Sequence, residues 1–332
     1  MWLHVYMTDS TQPNFFVIDL ADVAIKDDMA TMEHPFYSLS TRPDNRQLVY
    51  ETKNERLEIT PSGKGLPTIF DKDVLIFCIS KLMHAKNMGE TISKTVRFNA
   101  YEMLKATGRE TGGAEYKRLE DCFTRLRGTT FKTNIQTGKK ATTRLFGLVD
   151  EATFEFKLDK KMRLDYCEVV LSDWVMRSIE ANEVVTISPD YFKLRKPLER
   201  RVYEIARKHC GNQPIWCIGL KKLRMKTGSN SALKLFRFKI RKLIEADNIP
   251  FYHLELDEGD NVSFRPRSVK TAITNNVRVS QDVLERGHAI LKEKGWDSQA
   301  KEKEWQAYAA KVPPEKPDGA FIGWCNKQKS LR

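Results

Sequence analysis

No run of apolar residues in this sequence approaches the length of a membrane span; the longest, Val74 to Ile79, stops far short. The N-terminus, MWLHVYMTDS, has neither the basic start nor the long apolar stretch of a signal peptide, so a cytoplasmic location is expected. Cys78, Cys122, Cys167, Cys210, Cys217 and Cys325 are scattered without a CxxC pair, which suits reduced, buried thiols rather than a disulfide framework. His209, Cys210, Cys217 and His253 can be drawn as a zinc set, but their spacing matches no common ligand pattern. The histidines (His4, His34, His84, His209, His253, His288) never form the pair flanking one apolar residue that nicking-joining endonucleases use. Neither Ser62-Gly63-Lys64-Gly65 nor Gly138-Lys139-Lys140 has the spacing of a Walker A loop. Asp71-Lys72-Asp73 and Asp257-Glu258-Gly259-Asp260 could hold Mg²⁺, yet they sit at a helix start and a tight turn, where Asp caps and closes turns. With no GxSxG, HExxH or EF-hand pattern either, the expectation is a binding protein, not an enzyme, with no cofactor and no metal.

Cations are what the chain has in excess. Over 332 residues, 56 Lys and Arg face 44 Asp and Glu, a net charge of +12. That length buries more readily two cores than one, and that charge favours a polyanion, nucleic acid before membrane. The start runs against the trend. Residues 1–34 carry Asp9, Asp19, Asp22, Asp27, Asp28 and Glu33 against Lys26 alone, so 1–60 reads as an acidic arm, mobile or packed down, and an extended stretch.

The strongest pattern lies in SALKLFRFKIRKLIEAD, Ser231 to Asp247. Leu233, Phe236, Ile240, Leu243 and Ile244 make an apolar stripe, with Lys234, Arg237 and Arg241 as a basic row beside it. A shorter basic segment, LKKLRMKTGSN, precedes it. A hairpin follows: Ile249–Leu256, a turn at Asp257–Asp260, then Asn261–Arg265. Helix, turn, helix, hairpin is the order of a winged helix; a merely solvated basic face is the plainer reading of one such helix alone. An earlier stretch repeats the order. LKATG (Leu104–Gly108) parallels LRMKTG (Leu223–Gly228), Phe123 and Leu126 fall where Ile240 and Leu243 do, and TTFKTNI with ATTRLFGLV follow as a hairpin. The offset, about 120 residues, suits tandem domains and not a solenoid. The expected fold is therefore α+β: two tandem winged-helix domains at 61–164 and 165–267, an N-terminal extension, and a helical, flexible tail over 268–332. In that tail, 281–295 and 297–311 read as helices, and Pro313, Pro314 and Pro317 as breaks. Trp296, Trp305 and Tyr308 suggest docking there.

Several segments carry a family resemblance: DDMATMEHPFYSLSTRPD (Asp27–Asp44), GLPTIFDKDVLIFCISKL (Gly65–Leu82), RFNAYEMLKATGR (Arg97–Arg109), YKRLEDCFTRLRGTTFKTNI (Tyr116–Ile135) and PLERRVYEIARKH. Together they resemble the plasmid replication initiator protein A family, within the wider class of iteron-binding plasmid initiators. The resemblance covers the chain from Phe15 to Arg267. It implies binding to direct repeats in double-stranded origin DNA, opening of AT-rich duplex, recruitment of the host replication initiator and replicative helicase, and a homodimer that represses its own gene.

Within that frame the residues divide by task. Lys234, Arg237 and Arg241 face the groove, with Asn230 and Ser231 at the helix start. Lys221, Lys222, Arg224 and Lys226 cross the backbone, and Arg265 and Arg267 lie beyond the wing. In the first domain Lys117, Arg118 and Arg125 are the equivalents, diluted by Glu115, Glu120 and Asp121; the hairpin's Lys132, Lys139, Lys140 and Arg144 are better placed for phosphates. A transcriptional regulator with the same helices is the chief alternative, and a primase or nicking enzyme a more distant one.

Overall fold

The structure is a computed structural model, and it describes residues 23–51, 56–134, 143–156, 164–211, 213–267, 277 and 279–330. Strand β1 (Lys26–Asp28) passes directly into helix α1 (Met29–Glu33), whose first turn is closed by the Asp28 carboxylate accepting from the Ala30 and Thr31 amides. The hairpin read in LVYETKNERLEIT forms as β2 (Leu48–Glu51) and β3 (Arg56–Thr60). Helix α2 (Lys72–Asn87) is apolar nearly all round, and accordingly buried along most of its length. Strand β4 (Thr95–Asn99) leads into α3 (Ala100–Ala106), which Asn99 caps by accepting from the Tyr101 and Glu102 amides, as its position in the sequence suggests. Helix α4 (Gly113–Gly128) then buries Leu119, Cys122, Phe123 and Leu126.

After α4 the chain departs from its expected course. The segments read as the first hairpin, β5 (Thr130–Thr133) and β6 (Arg144–Phe146), do pair, but they join the earlier hairpin in a four-stranded sheet of order β2-β3-β5-β6. Aromatic packing draws them there. Phe131 stacks on Phe36 at 5.0 Å, and Phe146 on Trp174 at 4.8 Å. The hairpin that returns to β4 is instead β7 (Val149–Phe156) with β8 (Leu164–Leu171), in a three-stranded sheet of order β4-β8-β7. Asp165 onward, read as a connection, is thus a central strand, and a division at 164/165 falls inside it. Helix α5 (Asp173–Glu180), capped by Ser172, adds Val175, Met176 and Ile179 to the same core.

Strand β9 (Val184–Thr186) pairs with β1. A 3₁₀ turn (Pro189–Lys193) precedes α6 (Pro197–His209), which starts on a proline whose missing N–H costs nothing there. Then come β10 (Trp216–Gly219), α7 (Leu220–Thr227), α8 (Leu233–Ala246), and the hairpin β11 (Tyr252–Leu256) and β12 (Asn261–Pro266), in a sheet of order β10-β12-β11. The succession helix, strand, helix, helix, hairpin therefore occurs twice, the first time with β5 and β6 interposed before the hairpin, and each time with the last strand in the middle of its sheet. The corresponding glycines, Gly108 and Gly228, both take a left-handed φ, +65° and +71°. At Gly228 a Cβ would also stand 2.8 Å from Pro35 Cβ and 3.0 Å from the Tyr50 hydroxyl, so only glycine fits.

Between the two cores lies a seam of buried charge. Lys72 of α2 meets Asp27 of β1 at 2.7 Å and Glu204 of α6 at 3.2 Å; Arg201 reaches Glu204 at 3.0 Å, and Arg200 reaches Asp73 at 2.5 Å. Glu33 pairs with Lys208, His209 and Lys226. The acidic residues of 27–33 are thus packed down at the junction, each with a cation or a helix cap to hold. Of the remaining acidic arm, Asp9, Asp19 and Asp22 lie outside the described residues.

The tail has a core of its own. Helices α9 (Gln281–Glu293), α10 (Ser298–Lys311) and α11 (Pro317–Lys327) bury Val283, Leu291, Trp305 and Phe321. Pro317, read as a break, begins α11 in the position where proline is favoured. The bundle docks on the β1–β9 pair through the buried Lys26–Asp297 ion pair and a 3.2 Å bond from the Thr186 amide to Gln299 Oε1. No described helix is long and apolar enough to cross a membrane.

Candidate nucleic-acid interface

Helix α8 buries Phe236, Ile240 and Leu243 against α7 and the β11–β12 hairpin, which fixes what its other side presents. Lys234 and Arg241 are exposed there and make no hydrogen bond or ion pair with a described residue. Lys221 and Lys222 on α7 are exposed and equally unengaged. Among the described residues of the predicted set, these four are the cations that the second unit leaves available for phosphate or base edges.

The rest of the predicted set is committed within the protein. Arg237 forks onto Asp260 in the hairpin turn, Nε to Oδ1 at 2.8 Å with Nη2 on Oδ2, and so leaves the groove-facing row. Its hydrogen bond, ahead of its charge and that of Arg241, holds the Asp260 carboxyl below the usual carboxylate range. Arg267 binds the Asp247 carboxylate through both terminal nitrogens, tying the end of α8 to the end of β12. That pairing, chiefly its hydrogen bonding, lowers the Asp247 carboxyl too. Lys226 is spent on Glu33, and Arg224 donates to the Ser231 carbonyl at 3.1 Å. Asn230, once its amide oxygen faces Arg46, accepts from that guanidinium at 2.6 and 2.7 Å; the Ser231 hydroxyl accepts from Lys239 at 2.9 Å. Arg265 lies 3.6 Å from Glu255 across the hairpin.

In the first unit the predicted cations are further from duty. Arg125 is bidentate on Asp71, both bonds 2.7 Å, and locks α4 to the start of α2. Asp71, expected as a helix cap, makes no capping bond; its carboxylate takes Arg125 and the Thr68 amide instead. Arg118 pairs with Glu115, and Lys132 stands 3.4 Å from Glu58 on the four-stranded sheet, away from the β7–β8 hairpin. Arg144 is half-buried on that same sheet, and Lys139 and Lys140 lie outside the described residues. Lys117 alone of the predicted residues on α4 is exposed and unpaired. The expected hairpin does pair, as β5 with β6, but in the four-stranded sheet rather than beside β4. The link between β7 and β8 carries Lys157, Lys160, Lys161 and Arg163, a basic run visible in the sequence but also outside the described residues.

Two side chains on α8 break the amphipathic pattern. Phe238 is 56% exposed and Leu235 48%. Phe238 also edges a cleft of about 620 Å³ between α8 and the Ser38–Tyr50 stretch, but neither residue belongs to any of the buried cores.

Several of the residues that could be drawn as metal ligands have protein partners instead. His209 stacks on Trp216 and meets Glu33, His253 meets Asp247, and Asp73 meets Arg200 and Arg109.

The sequence also matches known proteins. The family model described as Replication initiator protein A matches residues 26–254. A curated protein of Wigglesworthia glossinidia brevipalpis named "Putative replication protein" is 38% identical over 257 residues, 76% of this chain and 93% of that one. Among solved structures, domains 2 and 3 of RctB superpose with a TM-score of 0.55 at 13% identity, over 72% of this chain and 98% of that chain. The Pi initiator protein in complex with iteron DNA gives a TM-score of 0.41 at 11% identity, over 66% of this chain and 100% of that chain.

Proposed function

This chain belongs to the replication initiator protein A family, and we propose that it binds direct repeats at a plasmid origin through two tandem winged-helix domains. The first domain comprises α2 to α5 with the β4-β8-β7 sheet, the second α6 to α8 with the β10-β12-β11 sheet. The repeated element order, the repeated strand order and the likeness to two RctB domains support that reading. The boundary between them falls after α5, near the left-handed residue Asn182, rather than at 164.

One observation carries the DNA-binding role: Lys234 and Arg241 stand exposed and unpaired on α8, with Lys221 and Lys222 on the helix before it. A protein that satisfies nearly every other cation on this face and leaves these open has left them for a polyanion. α8 enters the major groove, Lys221 and Lys222 take phosphates, and the β11–β12 hairpin is held against α8 by Arg237 and Arg267. The protein acts by binding, in the cytoplasm, and without a cofactor. The family resemblance adds duplex opening, host initiator and helicase recruitment, and autorepression by a homodimer.

Footprinting of the purified chain on its own plasmid tests this. Protection of several direct repeats beside an AT-rich stretch is the expected result. Protection confined to one palindrome at a promoter would replace the initiator with a transcriptional regulator.

A further inference from the structure

The exposed side of α8 carries something that phosphate binding does not require. Lys234, Arg241 and Lys242 lie four before, three after and four after Phe238, so helical spacing sets them around its ring. The Lys242 ammonium stands 5.8 Å from the ring centroid. An aromatic ring 56% exposed gains little in the free protein, and Leu235 beside it, 48% exposed, is no better covered. Arg237, one of the three residues that the sequence pattern places toward the groove, is turned aside onto Asp260. Phe238 and Leu235 therefore stand apolar on a face whose unpaired charges are the cations Lys234 and Arg241, Lys242 being held by Glu245 at 2.7 Å.

A border of cations does not suit an ordinary apolar protein surface; it suits a polyanion that offers an apolar edge. In the major groove that edge is the C5 methyl of thymine. Resting on the reading of α8 as the groove-entering helix, we propose that Phe238, supported by Leu235, is a specificity-determining residue that reads a thymine methyl. Lys234 and Arg241 hold the phosphates or guanines around it.

The experiment removes the methyl from the DNA and leaves the protein unaltered. The full chain selects duplexes from a random pool, and each thymine of a selected duplex is replaced singly by deoxyuridine. Wild-type protein loses about fourfold in affinity at one or two positions, the value of one buried methyl. Phe238→Ala binds the original duplex roughly tenfold more weakly and shows no further loss at those positions. Phe238→Leu keeps part of the methyl preference. Melting temperatures of both variants stay at the wild-type value, because the ring belongs to no core.

Two results would overturn the assignment while sparing the groove-binding role of α8: sequence preference with no uracil-sensitive position, or uracil losses that persist unchanged in Phe238→Ala. A lowered melting temperature for Phe238→Ala, with uracil indifference, would return the ring to the wall of the neighbouring cleft. Failure to select any preferred duplex would remove the groove-binding role itself, and this inference with it.

Discussion

On α4 the guanidinium of Arg125 lies on Asp71 and that of Arg118 on Glu115; on α8 Lys234 and Arg241 have no such acids to hold. Each of the two helices follows a strand and a shorter helix, and both are basic by count. What separates them is supply of carboxylates within reach. Asp71 comes from the start of α2 and Glu115 from α4 itself, whereas at α8 Asp260 takes Arg237 from the flank and Glu245 takes Lys242, which leaves Lys234 and Arg241 unpaired. A cation that has a partner at 2.7 Å stabilises the fold; one without is available to DNA. Counting lysines and arginines on a helix does not distinguish the two.

The largest effect expected is on stability, not binding. Arg125→Ala leaves Asp71, whose side chain is 4% exposed, without its guanidinium, and should cost about 3 kcal/mol in urea unfolding. DNA affinity and its salt slope, measured where the variant is folded, should match wild type. A stable variant with a shallower salt slope would show Arg125 reaching phosphate after all.

On α8 the outcome reverses. Arg241→Ala and Lys234→Ala should each leave the unfolding midpoint in place and weaken binding to a selected duplex by about 1–3 kcal/mol if they contact bases. If only affinity for random duplex falls, and by the same factor, the residue holds phosphate. If neither affinity moves, α8 is not the interface.

Much of this fold is legible from local pattern. The stripe Phe236, Ile240, Leu243, the Asn99 cap and the paired glycines Gly108 and Gly228 are short-range features, and each is found where the residues put it. What fails is non-local. Strand β8 alternates well enough, but its pairing with β4 joins residues as far apart as Thr95 and Val170, and nothing between them announces it. β5 looks like the wing because it follows α4, and it does pair with β6; its other neighbour, β3, lies upstream, with Ile59 opposite Phe131. The ion pairs fail for the same reason. Asp71 and Arg125 are 54 positions apart, so a row of cations reads alike whether it is spent or free.

A subtler test concerns Arg237. Its fork onto Asp260 makes it a positioning residue for the β11–β12 hairpin, and the pair is exposed enough to be weak. Arg237→Ala, Asp260→Ala and the double variant should show similar, non-additive losses of DNA affinity, each below about fivefold. Tighter binding in Asp260→Ala, with Arg237 released from its acid, would put Arg237 back among the DNA contacts.

The smallest effect, and the one that bears most directly on the first unit, is that of Lys117. It is the exposed, unpaired cation among those predicted on α4, and Glu115, Glu120 and Asp121 share its helix. A single lysine in such a field can neutralise a phosphate but supplies no bidentate geometry for a base. Lys117→Ala should therefore reduce the slope of log affinity against log salt by about one unit, equally on a selected and on a random duplex. Equal loss keeps the first unit as grip and the second as reader. Loss confined to the selected duplex would mean that α4 reads sequence despite its acids, and the contrast between the two helices would then rest on geometry rather than on charge.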